Sequence, residues 1–333
     1  MPGTSGASER GAKVAEALGT PAAPPPPDPD LLYIVGHHKS GATALGAILA
    51  DRQDVFFAGE LYRFPVPIWT PGDPNRLCSC GKPVLSCTLW SPIRQEFERQ
   101  HSLSELRAGQ LRFESWRAIP RTLFARGERR KQLERHVDDM EALLRVLAHQ
   151  TGSRLVVESS LAALRGWIYR LRGPRGPSVK YLHLVRDGRA LLWSESQLKD
   201  APESGGPWVR LPLFVIARWV GGNLLAMLLC SRDRERYLRV RYEDLVTNPR
   251  ATLERIGRFA GIDLSDVIAR VEAREPIPMR HIAAGNRNRL KGTLVLQGDF
   301  TWTTGLPRSS RMVFWITSGW LARIYGYRRR TDT

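Results

Sequence analysis

Eight residues near the start of the chain, Gly36-His37-His38-Lys39-Ser40-Gly41-Ala42-Thr43, have the types that hold an anion. They supply a lysine, two hydroxyls, and glycines that let backbone amides approach closely. The run follows a short apolar segment and precedes a helical one, so the unpaired amides and dipole of a helix start face whatever lies in the turn. In the phosphate loop of nucleoside triphosphatases the order is glycine, four residues, then Gly-Lys-Ser/Thr. Here the lysine comes before the glycine, and no aspartate is clearly placed to hold magnesium. A second anion-binding set is Arg186 and Ser194, in Arg186-Asp187-Gly188-Arg189-Ala190-Leu191-Leu192-Trp193-Ser194. A guanidinium at a strand end and a hydroxyl about two helical turns further on converge on one ligand. Glu60, in Phe57-Ala58-Gly59-Glu60-Leu61, offers a carboxylate for general-base work.

These residues need a frame to bring them together. Leu31-Leu32-Tyr33-Ile34-Val35 is a continuous apolar run suited to a buried parallel strand. Similar strands are expected at Arg154–Glu158, Val179–Val185 and Tyr237–Tyr242, each followed by a helix. The alternation predicts an α/β fold: a P-loop-like open, mainly parallel sheet flanked by helices, with ligands beyond the carboxyl ends of the strands. Residues 51–90, rich in proline, glycine and aromatics, read as a long loop region, and Ser91–Gln150 as helical. Together, 51–150 form a helical and loop insertion suited to an acceptor site, with Tyr62, Phe64 and Trp69 able to face a sugar or a phenol. Residues 1–30 read as a disordered proline-rich tail, 31–327 as one catalytic domain, and 328–333 as a basic tail. Leu211–Cys230 has the length and apolarity of a membrane span, but Arg218, Gly221, Gly222 and Asn223 predict a buried core helix instead. Met312–Tyr327 is expected to pack on the core or an interface, with peripheral membrane contact through 312–330 as the alternative.

The loop from Gly36 to Thr43 resembles the 5′-phosphosulfate loop of sulfotransferases that use 3′-phosphoadenosine 5′-phosphosulfate (PAPS). Arg186 and Ser194 resemble the same family's 3′-phosphate motif, in the same order along the chain. Val240-Arg241-Tyr242-Glu243-Asp244-Leu245 looks like the segment that sets a tyrosine near the adenine, which carries over to Tyr242. Gly285–Gly292, followed by Asp299-Phe300-Thr301-Trp302, is similar to the late basic loop that closes on the 3′-phosphate. Arg289 and Lys291 are the candidates there, with Asn286 and Arg287 as alternatives. The resemblance implies sulfuryl transfer from PAPS to a hydroxyl of a carbohydrate, lipid or other small molecule. Lys39 would steady the leaving phosphate, and Ser40, Gly41, Ala42 and Thr43 would hold it. Glu60 would act as base, as in tyrosylprotein and several bacterial carbohydrate sulfotransferases, and no metal is expected. His37 and His38 lie on the donor side, where packing or phosphate contact suits them better than base catalysis. One departure is Glu158-Ser159-Ser160-Leu161, where related enzymes often have a basic residue. Ser159 or Ser160 would then meet the sulfuryl oxygens, and either another arginine substitutes or catalysis leans harder on Lys39.

Composition narrows the alternatives. With 42% hydrophobic and 25% charged residues among 333, the chain suits one large α/β core and excludes a fibre or multi-span membrane protein. The net charge of +17 invites a polyanion, but arginine runs such as 126–135 and 232–241 alternate with acids and read as salt-bridged helix faces. No nucleic-acid partner is expected. A P-loop kinase would need the Gly-Lys-Ser/Thr order, and a non-catalytic basic anion-binding module would show no preference for a particular nucleotide. Four cysteines do not make a disulfide scaffold, and no secretory signal is visible, so a cytoplasmic location is expected, with membrane association allowed. Cys78, Cys80 and Cys87 cluster without a paired Cys-x-x-Cys, which favours a local disulfide or free thiols over zinc.

Overall fold

Leu31, Leu32, Tyr33, Ile34 and Val35 are each at most 1% exposed and form the centre of strand β1 (Asp30–Gly36) in the computed structural model. The structure describes residues 28–65, 77–171, 178–197 and 211–329. Most of the expected proline-rich tail, Trp69 and the last four residues of the expected basic tail lie outside the described residues. The other strands of the main sheet are β2 (Val55–Gly59), β3 (Leu155–Leu161), β4 (Val179–Val185) and β5 (Tyr237–Arg241). They are all parallel, in the order β2-β3-β1-β4-β5. Side chains alternate between faces, as a period of two requires. Leu31, Tyr33 and Val35 enter one core, while Leu32 and Ile34 enter the other. Both faces are covered, which explains why the strands read as unbroken apolar runs.

β2 corrects the expectation that residues 51–90 are loop throughout. Val55-Phe56-Phe57-Ala58 is five residues with its glycine, fully buried, and pairs parallel with β3, with a shift of register between Phe57 and Gly59. A short edge strand buried on both faces shows no alternation to read.

Helix α1 (Ala42–Leu49) follows β1. The expected helical stretch 91–150 is broken into α2 (Trp90–Glu98), α3 (Leu103–Phe113), a turn at Ile119–Leu123 and the long α4 (Glu128–Thr151). Ser102 caps α3 by accepting from the Glu105 amide, and Pro120 begins the short turn. Further along come α5 (Ala163–Ile168), α6 (Gly188–Ser196), α7 (Pro212–Cys230), α8 (Pro249–Ala260), α9 (Ser265–Glu272) and α10 (Arg308–Ile324). A small antiparallel pair joins Ile277–Pro278 to Thr293–Leu294.

α7 is half-buried, not wholly buried as expected. Val215, Ile216, Trp219, Asn223, Ala226 and Cys230 face inward, while Leu213, Phe214 and Leu228 are exposed. Its outer face is as apolar as its inner one, so periodicity could not separate them. By length and composition alone α7 is the one helix, among the described residues, able to cross a bilayer. The outer face of α10 likewise exposes Met312, Ile316, Trp320 and Ile324.

Beneath the insertion lies a buried ionic chain. Glu158 of β3 accepts from Arg165 Nε at 2.7 Å and from the Tyr169 hydroxyl at 2.7 Å. Arg165 reaches Glu114 at 2.6 Å, and Glu114 meets His136 Nε2 at 2.8 Å. Arg165 is 1% exposed, so each of its charge contacts offsets a large desolvation cost. Arg165→Ala should therefore destabilise the protein by about 3–5 kcal/mol, read as a lower urea midpoint. Burial alone would raise the Glu114 carboxyl, but Arg165 and His136 hold it at about 2. Its folded value lies below the ordinary 4.5, so its stabilisation is present at neutral pH and is lost as pH falls from there toward about 2. The acid limb of a stability-against-pH curve should flatten in the Arg165→Ala protein.

Candidate active site

The chain leaves β1 in one direction, toward β2, and leaves β4 in the other, toward β5, so the crevice beyond β1 and β4 is the switch point of the sheet. The two basic loops emerge there. Gly36 pairs with Leu184 of β4, and a Cβ on Gly36 would lie 2.5 Å from the Leu184 carbonyl oxygen. Only glycine lets the strands stay level to their ends.

The loop then turns through Lys39, at φ 61, to Gly41, at φ 95. Gly41 caps α1 without a side-chain bond, and no acid stands in the first turn. Ala42 is the first residue of the helix. Ser40 is 2% exposed and its hydroxyl is buried without a partner. An unpaired buried hydroxyl costs about 1–3 kcal/mol, and beside a bare helix start it fits an anionic ligand. Tyr242 lies across the loop, close enough that a Cβ on Gly41 would meet its ring at 2.6 Å. Arg186 stacks on that ring at 4.5 Å, donates to the Lys39 carbonyl at 3.0 Å and pairs with Asp299 at 3.2 Å. Its Nε is buried and unpartnered.

Lys39 donates to the Ser194 carbonyl at 3.2 Å and lies 3.6 Å from Glu195. Burial lowers the ammonium's pKa, and Glu195 works against that shift. Glu195 also accepts from His38 at 2.7 Å, while Arg218 of α7 reaches His38 Nδ1 at 3.0 Å. Arginine only donates, so Nδ1 accepts and Nε2–H faces the carboxylate. Burial would raise Glu195, but His38 and Lys39 hold it at about 2. His37 is pushed down to about 3 by burial and by His38, and stays neutral against the His38 carbonyl. Glu195 and Arg218 had no reading in the sequence as site residues. The one clue was Arg218 itself, a charge in an otherwise apolar helix.

Beneath the second loop, Asp187 caps α6 and pairs with Arg189 at 2.7 Å. Arg189 also grips the Arg328 and Arg329 carbonyls, each at 3.0 Å. The Asp187 amide donates to Glu243, which accepts from the Tyr327 hydroxyl at 2.7 Å.

The late loop meets the donor loop through its backbone. The Asn286 amide donates to the Thr43 hydroxyl at 3.3 Å. Arg289 is buried and donates to the Gly285 and Leu77 carbonyls at 3.1 and 3.2 Å, bracing the loop from beneath. Arg287 and Lys291 are exposed. Glu60 follows β2, its amide bonded to the Ala284 carbonyl at 3.3 Å and its carboxylate to Arg63 at 2.8 Å. Ser160 donates to Glu158 and accepts from the Tyr62 amide, so its hydroxyl is engaged within the fold. Ser159 is buried at the end of β3. Arg165, the first arginine after Glu158, turns to Glu158 and Glu114 within the fold. Positive charge beside Lys39 comes from Arg186 and Arg218.

An open parallel sheet with two basic loops meeting at its switch point defines an α/β protein with a positively charged crevice. Residues 81–266, more than half of the chain, match the model of the Sulfotransferase family, and the chain belongs to that family. The match includes Arg186, Ser194 and Tyr242 but leaves out the loop from Gly36 to Thr43. Among solved structures, the chain is similar to the sulfotransferase domain of the olefin synthase from Synechococcus PCC 7002, at 20% identity, covering 90% of this chain and 96% of that one with a TM-score of 0.48. It is also similar to the sulfotransferase domain from the curacin biosynthetic pathway, at 17% identity over 90% and 98% of the two chains, TM-score 0.48. Sulfotransferase STF9 from Mycobacterium avium follows at 12% identity over 79% and 71%, TM-score 0.45. No curated protein matches the chain.

Gly41→Ala should be costly twice, through its left-handed backbone and through the Tyr242 ring. We expect a loss of about 1–3 kcal/mol, measured by thermal or urea unfolding. An unchanged midpoint would mean that the loop and Tyr242 do not pack as described.

Proposed function

We propose that the chain transfers a sulfuryl group from PAPS to a hydroxyl of a carbohydrate, lipid or other small molecule. The observation that carries this reading is the buried, unpartnered Ser40 hydroxyl at a helix start without a side-chain cap, next in the chain to the Lys39 carbonyl that Arg186 holds. Membership of the sulfotransferase family supports it.

When bound, PAPS supplies the sulfuryl group together with a 5′-phosphate that departs with the nucleotide. Ser40, Thr43 and the amides of Gly41, Ala42 and Thr43 are suited to hold the 5′-phosphate. Lys39 stabilises negative charge there, and its present bonds to Glu195 and the Ser194 carbonyl keep the ammonium poised beside the loop. Arg186 and Ser194 flank the position for a 3′-phosphate, and Tyr242 offers a ring for the adenine. The late loop completes the donor side through Asn286 at Thr43, with Arg287, Arg289 and Lys291 as its basic members. Glu60 accepts the proton of the acceptor hydroxyl, its carboxylate oriented by Arg63. The described loops and helices of 51–65 and 77–150 are suited to surround the acceptor.

Adenosine 3′,5′-bisphosphate should raise the melting temperature by an amount that grows with concentration, worth about 2.7 kcal/mol at a hundredfold excess over Kd, and ATP with magnesium should do so far less. Failure of both nucleotides to shift the transition would remove the donor-site reading. Glu60→Gln should lower turnover by about 10²–10⁴-fold while leaving nucleotide binding by calorimetry unchanged. Near-wild-type turnover in a labelled-PAPS assay would take Glu60 out of the mechanism.

A further inference from the structure

Three thiols close together in sequence and an imidazole far from them along the chain meet at the edge of the insertion. Cys78, Cys80, Cys87 and His281 each present one ligand atom, and all four atoms lie within 4.8 Å of one another. Cys80 Sγ is 3.8 Å from Cys87 Sγ, and His281 Nδ1 is 3.3 Å from Cys87 Sγ and 3.7 Å from Cys78 Sγ. A tetrahedral zinc ion with sulfur at about 2.3 Å and nitrogen at about 2.0 Å requires edges of about 3.8 Å between sulfurs and about 3.5 Å from sulfur to nitrogen. These three spacings lie close to those edges, and the other three pairs fall within 4.8 Å. They are far longer than a disulfide bond, and all four cysteines of the chain are free.

The backbone is shaped around the cluster. The turn Cys78-Ser79-Cys80-Gly81 closes with the Gly81 amide on the Cys78 carbonyl at 2.9 Å. Ser79 sews the turn to the histidine segment, donating to the Met279 carbonyl at 2.6 Å and accepting from the Ile282 amide at 2.9 Å. His281 has φ 46, uncommon for a residue with a Cβ, and its carbonyl is pinned by Trp90 Nε1. Cys78 and Cys87 are fully buried at the margin of the core, with both sulfurs turned to one imidazole nitrogen.

We propose that Cys78, Cys80, Cys87 and His281 Nδ1 bind a zinc ion as a closed structural site. This departs from the expectation of no metal, because the fourth ligand was not visible beside the cysteines. Soft thiolates with one imidazole in tetrahedral array select zinc, and the thiols release their protons to solvent on binding. The ion ties the segment leading into α2 to the stretch 279–282. That stretch runs into Ala284, which holds the Glu60 amide, and Asn286, which meets Thr43. The zinc therefore acts as a positioning element between the acceptor insertion and the donor loop.

The test uses the full chain produced with zinc in the medium and purified without chelator. Mass spectrometry of the metal should find about one zinc per chain, and cobalt(II) substitution should give the absorption of tetrahedral thiolate coordination. Cys80→Ser, at an exposed position, should lose most of the zinc, as should His281→Asn. Chelation should expose the thiols to alkylation and lower the melting temperature. Zinc well below one equivalent, iron in its place, full retention in both variants, or a Cys80–Cys87 disulfide found by alkylation without reduction would each overturn the proposal. None of these readouts depends on sulfuryl transfer, so their failure leaves the donor-site reading standing.

Discussion

The level pairing of β1 and β4, with Gly36 pressed against the Leu184 carbonyl, sets the geometry of everything at the switch point. Because the strands end side by side, Lys39 and Arg186 emerge as neighbours, and Arg186 can close the gap by bonding the Lys39 carbonyl. Tyr242, arriving from the end of β5, then finds a flat place over Gly41 and under the Arg186 guanidinium. A side chain at position 36 would push the strand ends apart and separate the two loops before any ligand contact was considered. The chemistry of the site thus rests on a backbone approach that carries no functional group.

The excess of positive charge acquires a different meaning inside this frame. Lys39, Arg186 and Arg218 converge on one small region, and three like charges at close range are unfavourable unless something negative lies among them. In this structure Glu195 and Asp299 take that part. An anionic ligand would enter in competition with two carboxylates already present. Elsewhere the buried arginines serve the scaffold, Arg165 between Glu158 and Glu114 and Arg189 between Asp187 and two backbone carbonyls.

Much of the sheet was legible because its central strands are buried on both faces. Val179–Val185 reads as an apolar run and is a strand with those bounds, and Leu31–Val35 falls inside β1. β2 is buried as well but was missed because five residues beside a stretch of prolines and aromatics are too short a run to stand out. The outward face of α7 was hidden by its uniform apolarity. Within the site, local motifs could be read, but their partners could not: Glu195 stands one residue past Ser194 with nothing to mark it, and Arg218 meets His38 across 180 positions. The cysteines show the same limit, with three ligands within ten residues of sequence and the histidine 194 positions beyond Cys87. Spacing along the chain reports what one element can present, whereas a site assembled from several elements appears only once the fold places them.

The grip of Arg189 on the carbonyls of Arg328 and Arg329 has a consequence in time. The loop after β4 leaves the ribosome about 140 residues before the backbone it holds, and chains grow at about 5–20 residues per second. For several seconds at least, the buried Arg189–Asp187 pair must exist without its final hydrogen-bond acceptors, and Glu243 without the Tyr327 hydroxyl. The sheet is complete by residue 241, but the floor of its binding crevice is finished only by residues near 329. A nascent chain halted between those points would carry the whole sheet and both motif loops while the lower support of the second loop was still unmade.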